Sequence, residues 1–194
     1  MMLKRRADFA SGDFFVTARA TWTAIGPILA LAASLGAASL GAAAPARADG
    51  DDPSFLVFGL GYYDMNKQDD TAADFRLEYR HGEKFWIFKP WVGVEGTSDG
   101  AFYGAAGVLV DVYFGTRVVL TPSFGAGFYA EGSGKDLGHV VEFRSQIELS
   151  YRFDDRSRLG VAFSHISNAS IADENPGVEI LNVYYSLPLD GLLD

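Results

Sequence analysis

The sequence predicts an all-β protein: an eight-stranded antiparallel transmembrane β-barrel behind a cleaved signal peptide. Three observations lead there. From Ser54 onward, apolar residues recur with a period of two, the repeat of a strand with two unlike faces. The connections between periodic segments alternate between short and long, which sorts them onto two rims. Charges interrupt every apolar run after Ala48, so a helical crossing is excluded there and only a closed barrel can span a membrane.

The N-terminal segment reads as an address. Lys4, Arg5, Arg6 and Arg19 form a basic lead-in, and residues 20–44 carry no charge. Ala46-Arg47-Ala48 then offers small residues at the two positions a signal peptidase reads, so cleavage is expected after Ala48. The rival is an N-terminal membrane anchor. Gly26-Pro27 and the alanine-rich composition weigh against it.

Residues 1–48 are therefore the expected signal peptide and 49–194 the barrel domain, a length suited to one domain. The whole chain has 16 basic and 25 acidic residues; the leader takes five and two, leaving 11 against 23. A domain with a net charge of −12 repels phosphate backbones, which excludes nucleic acid as a partner. The chain has no cysteine, which excludes disulfides and thiol chemistry.

Eight segments carry the strand period: 54–64, 71–80, 85–96, 101–115, 117–130, 138–152, 156–167 and 177–187. In the second, Phe75, Leu77 and Tyr79 oppose Arg76, Glu78 and Arg80. The fourth sets Phe102, Val108, Val110, Val112 and Phe114 against Ala105, Gly107 and Asp111. Pro122 falls within the fifth and predicts a local bulge or break, since it has no N–H for the ladder. In the sixth, Phe143, Ile147, Leu149 and Tyr151 share a face with Ser145, opposite Glu142, Arg144, Gln146 and Glu148. The turns 80–84, 115–116 and 154–155 are tight, whereas 65–70, 97–100, 131–137 and 168–176 are mostly longer and rich in Gly, Asp, Ser and Asn.

Alternation alone does not say which face is inside. A secreted lipocalin-like barrel would turn its apolar face inward. Three features favour the membrane version. The apolar faces are almost free of charge. Tyr62, Tyr63, Phe85, Trp86, Phe114, Tyr129, Tyr151, Tyr184 and Tyr185 gather near strand ends, as an interfacial girdle would. The polar face mixes signs, with Arg76, Arg80, Arg144 and Arg158 among Glu78, Glu95, Asp111, Glu142 and Glu148, as a buried ionic interior requires. Side chains just fill a barrel of eight strands, so it is a plug and not a solute pore.

One stretch carries candidate chemistry. Phe163–Glu179 holds His165, Ser167 and Asn168 within four positions, with Glu179 twelve residues after the serine. His165 and Ser167 continue the apolar parity of Leu159, Val161 and Phe163, and Glu179 shares that of Leu181 and Val183. All three are expected on the lipid-facing wall, with His165 near Glu179 if the last two strands form a hairpin. A lipid-facing carboxylate is costly unless it is paired. A Glu–His–Ser chain relieves the cost and is also the relay of a serine hydrolase: Ser167 the nucleophile, His165 the base, Glu179 the orienting acid. The Asn168 side chain and the backbone N–H groups after it are the expected oxyanion donors. The bland alternative is an interfacial histidine beside ordinary loop chemistry. His81 and His139 lack comparable partners, and the lone His-x-Ser does not read as a metal site.

His165-Ile166-Ser167-Asn168-Ala169, then Asn175-Pro176-Gly177 and Glu179, resembles the active-site region of the PagL-like lipid A 3-O-deacylases over about twenty residues. The resemblance implies a serine esterase of the bacterial outer membrane that removes the 3-linked acyl chain of lipid A in lipopolysaccharide, with no metal or other cofactor. It carries the catalytic roles onto Ser167, His165 and Glu179 and the oxyanion role onto Asn168. Many such barrels end on an aromatic residue, whereas this chain continues past Tyr185 to Asp194. The competing class is a non-catalytic outer-membrane barrel for envelope integrity or adhesion. A homodimer is compatible with either reading.

Overall fold

The computed structural model describes residues 52–190. The expected signal peptide and its cleavage after Ala48 lie outside the described residues. Nine strand segments follow in order: β1 (Phe55–Tyr63), β2 (Ala72–Arg80), β3 (Lys89–Thr97), β4 (Phe102–Leu109), β5 (Val112–Phe114), β6 (Val118–Ala130), β7 (Val141–Arg152), β8 (Arg158–Ser167) and β9 (Val178–Pro188). Every pairing is antiparallel, β1 pairs with β9, and β4 pairs with β6, so the sheet closes. β4 and β5 are two halves of one stave, which makes this an eight-stranded barrel.

Pro122 causes the split. Leu109 pairs with Ser123 and Val112 with Leu120, so both strands spend the same number of residues across the gap. It is a break and not a bulge. The Val110 N–H reaches the Pro122 carbonyl at 3.1 Å, but Pro122 has no N–H to return. The third strand is also shorter than expected. Residues 85–88 form a tight reversal in which Phe85 and Phe88 exchange backbone hydrogen bonds and Trp86 takes φ 61°. The strand proper starts at Lys89.

The apolar face points outward. Leu60 is 63% exposed and Phe128 70%, and Val92, Leu149, Val161 and Val183 share that wall. An uncovered hydrocarbon surface of this extent is at home in lipid. The interior holds the charges. Arg76 lies 3.0 Å from Asp74 and 2.7 Å from Glu95, and also bonds Gln146, Ser164 and Tyr184. Arg80 bridges Glu78 and Glu148, and Arg144 pairs with Glu78 while stacking on Trp91. Toward the rim that carries the short turns, Lys89 and Arg158 each pair with both Asp52 and Asp111, which anchors the segment entering β1.

The aromatic girdle needs a correction. Tyr62, Phe85, Trp86, Phe114, Tyr151 and Tyr185 are exposed, but Tyr63, Tyr129 and Tyr184 are buried. A period of two sends chain neighbours such as Tyr184 and Tyr185 to opposite faces. Inside, the Tyr63 and Tyr129 hydroxyls meet at 3.0 Å, and Tyr129 donates to the Lys135 carbonyl.

Candidate active site

The wall formed by β7, β8 and β9 can be read as rows of directly paired residues. From the short-turn rim upward they are Tyr151–Leu159–Tyr185, Leu149–Val161–Val183, Ile147–Phe163–Leu181 and then Ser145–His165–Glu179. Three apolar rows thus give way to a polar one. The next position up places Phe143 beside Ser167. The change of chemistry is matched behind the wall. Ile166, Val178 and Ile180, the inward residues between His165, Ser167 and Glu179, are fully buried in a cluster with Leu137, Tyr63 and Tyr129. Polar-in, apolar-out becomes apolar-in, polar-out for one turn of the pleat. This inversion is visible in the sequence and marks the site more sharply than the motif alone.

His165 Nδ1 lies 3.2 Å from Glu179 Oε1, so a proton on Nδ1 is donated to the carboxylate. The Glu179 backbone is held in turn, because its carbonyl accepts the Met65 N–H at 3.0 Å. Glu179 Oε2 is buried and has no hydrogen-bond partner among the described residues. With Nδ1 on Glu179, the adjoining Cε1–Nε2 edge of the ring lies toward Gly177. Gly177 sits against that edge: a Cβ built there would lie 2.8 Å from His165 Cε1 and 3.4 Å from Nε2. Ser167 is two residues along the same face, half-buried, and no hydrogen bond joins its hydroxyl to His165. Tightening of such contacts on substrate binding is usual for catalytic hydroxyls.

Asn168 behaves differently from the expectation for its side chain. It is fully buried, and its Nδ2 donates to the carbonyls of Leu137 at 3.0 Å and Glu174 at 2.7 Å. Its Oδ1 accepts the Ser170 N–H, and its own N–H donates to Asn175 Oδ1. Both side-chain donors are therefore committed to the loops. They bind the β6–β7 loop to the β8–β9 loop and are turned away from the lipid face. What Asn168 builds is the turn itself. Ala169 and Ser170 both take left-handed backbone (φ 54° and 63°), rare for residues with a Cβ. Among the described residues, the Ala169 N–H has no acceptor, and it is the first backbone donor beyond the Ser167-Asn168 pair left free.

Loop contacts complete the rim. Lys67, from the β1–β2 loop, donates to the Pro176 carbonyl at 2.5 Å. Lys135 pairs with Asp64 at 2.6 Å, and Asp64 also accepts the N–H groups of Asp69 and Asp70. Burial alone would raise the Asp64 pKa; the Lys135 ammonium and these backbone donors outweigh it and hold the carboxyl below its usual 3.8. Sequence reasoning missed Lys67 and Leu137 because their partners lie on other loops.

A family model described as "Lipid A 3-O-deacylase (PagL)" matches residues 56–188, nearly the whole described barrel. The chain belongs to the PagL family. Two curated relatives carry the name lipid A deacylase PagL. The Bordetella bronchiseptica protein is 31% identical over 74 residues, covering 37% of this chain and 42% of its own length. That of Pseudomonas aeruginosa is 27% identical over 84 residues, covering 43% and 40%. The chain therefore spans about two-fifths of each curated relative in these alignments. A crystal structure described as that of the outer membrane enzyme PagL superposes with a TM-score of 0.54 at 17% identity, over 69% of this chain and 99% of the other. That likeness supports the PagL barrel fold. The family match and the relatives do not support a homodimer.

Proposed function

We propose that this PagL-family barrel is an outer-membrane serine esterase that hydrolyses the 3-O-linked acyl ester of lipid A, using Ser167, His165 and Glu179. The observation that carries the reading is the His165–Glu179 pair, directly opposed on the lipid-facing wall with Nδ1 bound to the carboxylate. That contact selects the tautomer whose Nε2 is unprotonated and can take a proton. The family description supplies the substrate class, and the long-loop rim supplies the level, since ester-linked chains of lipopolysaccharide lie near the outer surface.

In this reading Ser167 Oγ attacks the ester carbonyl while His165 Nε2 takes its proton. Glu179 holds the imidazole and stabilises the imidazolium that forms. The oxyanion is held at the turn built by Asn168, through the Ala169 N–H; one such donor is worth about 3 kcal/mol at the transition state. His165 then returns the proton to the departing sugar 3-oxygen, and water cleaves the acyl-serine by the reverse sequence. Lateral entry of a lipid explains why the relay faces outward.

The test is Ser167→Ala in purified, detergent-folded protein with lipid A as substrate. The variant is expected to show the heat-modifiable mobility of a folded barrel and to release no 3-hydroxy fatty acid. Release at the wild-type rate would overturn the mechanism. Absence of both release and Ser167 phosphonate labelling in the wild type would return the chain to the non-catalytic barrel reading.

A further inference from the structure

We infer that Gly177 is a positioning residue for His165: its missing side chain is the space into which the imidazole leans. The inference rests on the proposed Ser167 chemistry. Gly177 follows Asn175-Pro176, takes φ 60°, and enters β9 at the level just above the His165–Glu179 row. A Cβ there would sit 2.8 Å from His165 Cε1, closer than real Cβ contacts come. Several wall glycines, such as Gly107 and Gly127, are crowded by neighbouring backbone, which explains them as close strand packing. At Gly177 the two nearest atoms belong to a candidate catalytic ring.

The ring is the part that would move. The Gly177 backbone is buried at the strand start, with Val178 paired to Ile166 and Lys67 bound to the Pro176 carbonyl. The imidazole is half-exposed to the lipid side and, among the described residues, anchored through Nδ1 alone. Any side chain at 177 pushes the Cε1–Nε2 edge outward, away from the Ser167 level, and pulls Nδ1 from Glu179. Substrate contacts would be untouched, so the loss should fall on kcat and leave KM alone.

Backbone strain and crowding can be separated with three variants. Gly177→Ala introduces both. Gly177→Asn relieves the strain, because asparagine enters left-handed backbone readily, but keeps the Cβ. Gly100→Ala introduces strain alone, at a φ of 83° on the same rim with nothing within 4 Å of the added Cβ. The experiment compares kcat, KM and the rate of Ser167 labelling by a serine-directed phosphonate, on the heat-modifiable folded fraction. Both Gly177 variants are expected to lose about 10- to 100-fold in kcat and in labelling rate with KM within about two-fold, while Gly100→Ala matches the wild type. Wild-type kcat in Gly177→Asn, an equal loss in Gly100→Ala, or a loss confined to KM would overturn the inference while leaving the esterase reading intact. An unlabelled, inactive wild type would overturn the esterase reading itself.

Discussion

His165 and Glu179 face each other directly across the β8–β9 ladder, with Nδ1 3.2 Å from Oε1 on a wall that is otherwise apolar below them. One register unit in either strand would move one partner inside the barrel and strand the other carboxylate or imidazole in lipid. The pair therefore depends on the register of the whole hairpin, which the buried residues Ile166, Val178 and Ile180 enforce from behind.

Glu179→Gln should keep the barrel and the contact shape but lose the charge that favours the productive tautomer and the imidazolium. A kcat loss of about 10²- to 10⁴-fold is expected, with little change in KM. Steady-state kinetics on lipid A in detergent micelles checks this. A loss below about three-fold would mean that Glu179 only relieves burial.

Asn168→Ala removes the three hydrogen bonds made by its side chain. Leaving the buried Leu137 carbonyl unpartnered costs about 1–3 kcal/mol. The expected result is faster proteolysis within residues 131–140 and 168–177, together with reduced activity. A kinetic defect without any change in loop proteolysis would contradict the structural role.

Arg76→Leu breaks the centre of the interior network, leaving Asp74 without its cation and Glu95 with the more distant Arg144 at 3.7 Å. Removing one partner of a buried ion pair costs about 3–5 kcal/mol. The thermal transition of the folded barrel, followed by heat-modifiable electrophoresis, should fall by many degrees. Activity measured well below that transition should persist, because the site lies on the other face of the wall.

Val161→Arg places a cation in the middle apolar row beside Leu149 and Val183. At bilayer mid-depth this costs about 2–4 kcal/mol, whereas a soluble barrel would tolerate an exposed arginine almost freely. Reduced folding into lipid vesicles, with folding in detergent less affected, is the expected outcome.

The Asp64 carboxyl is held below 3.8 chiefly against burial by Lys135 and the Asp69 and Asp70 N–H groups. A carboxyl with a depressed folded pKa contributes stability that is present above its unfolded value and lost as pH falls through the folded one. The β1–β2 and β6–β7 loops, which this contact joins, should therefore resist an acid-active protease at about pH 5 and open as pH drops below about 4. Asp64→Asn should open them already at neutral pH.

Much of the barrel was legible in the residues. The strand period survived along most of the eight segments but failed at 138–140, which stay in the loop before β7, and at Phe85–Phe88, where an aromatic-rich run continues the pattern of a strand while the backbone turns back on itself. Pro122 announced a break, but only the equal residue counts on β5 and β6 distinguish it from a bulge. The girdle was over-read because clustering of tyrosines along the chain ignores which side each one faces. Lys67 and Leu137 carried no local signal at all, since a lysine in one loop and a leucine in another look like solvent chemistry until closure brings them to the site.

By itself the sequence determined the alternation, the two kinds of connection, and the closeness of His165, Ser167 and Glu179 on one parity, because these are local consequences of a two-residue repeat. Only the tertiary structure decided that the charged face is inside, that His165 sits opposite Glu179, and that the Asn168 amide serves two loops. Those facts depend on ring closure and on contacts between segments tens of residues apart. No periodicity within a single strand encodes them.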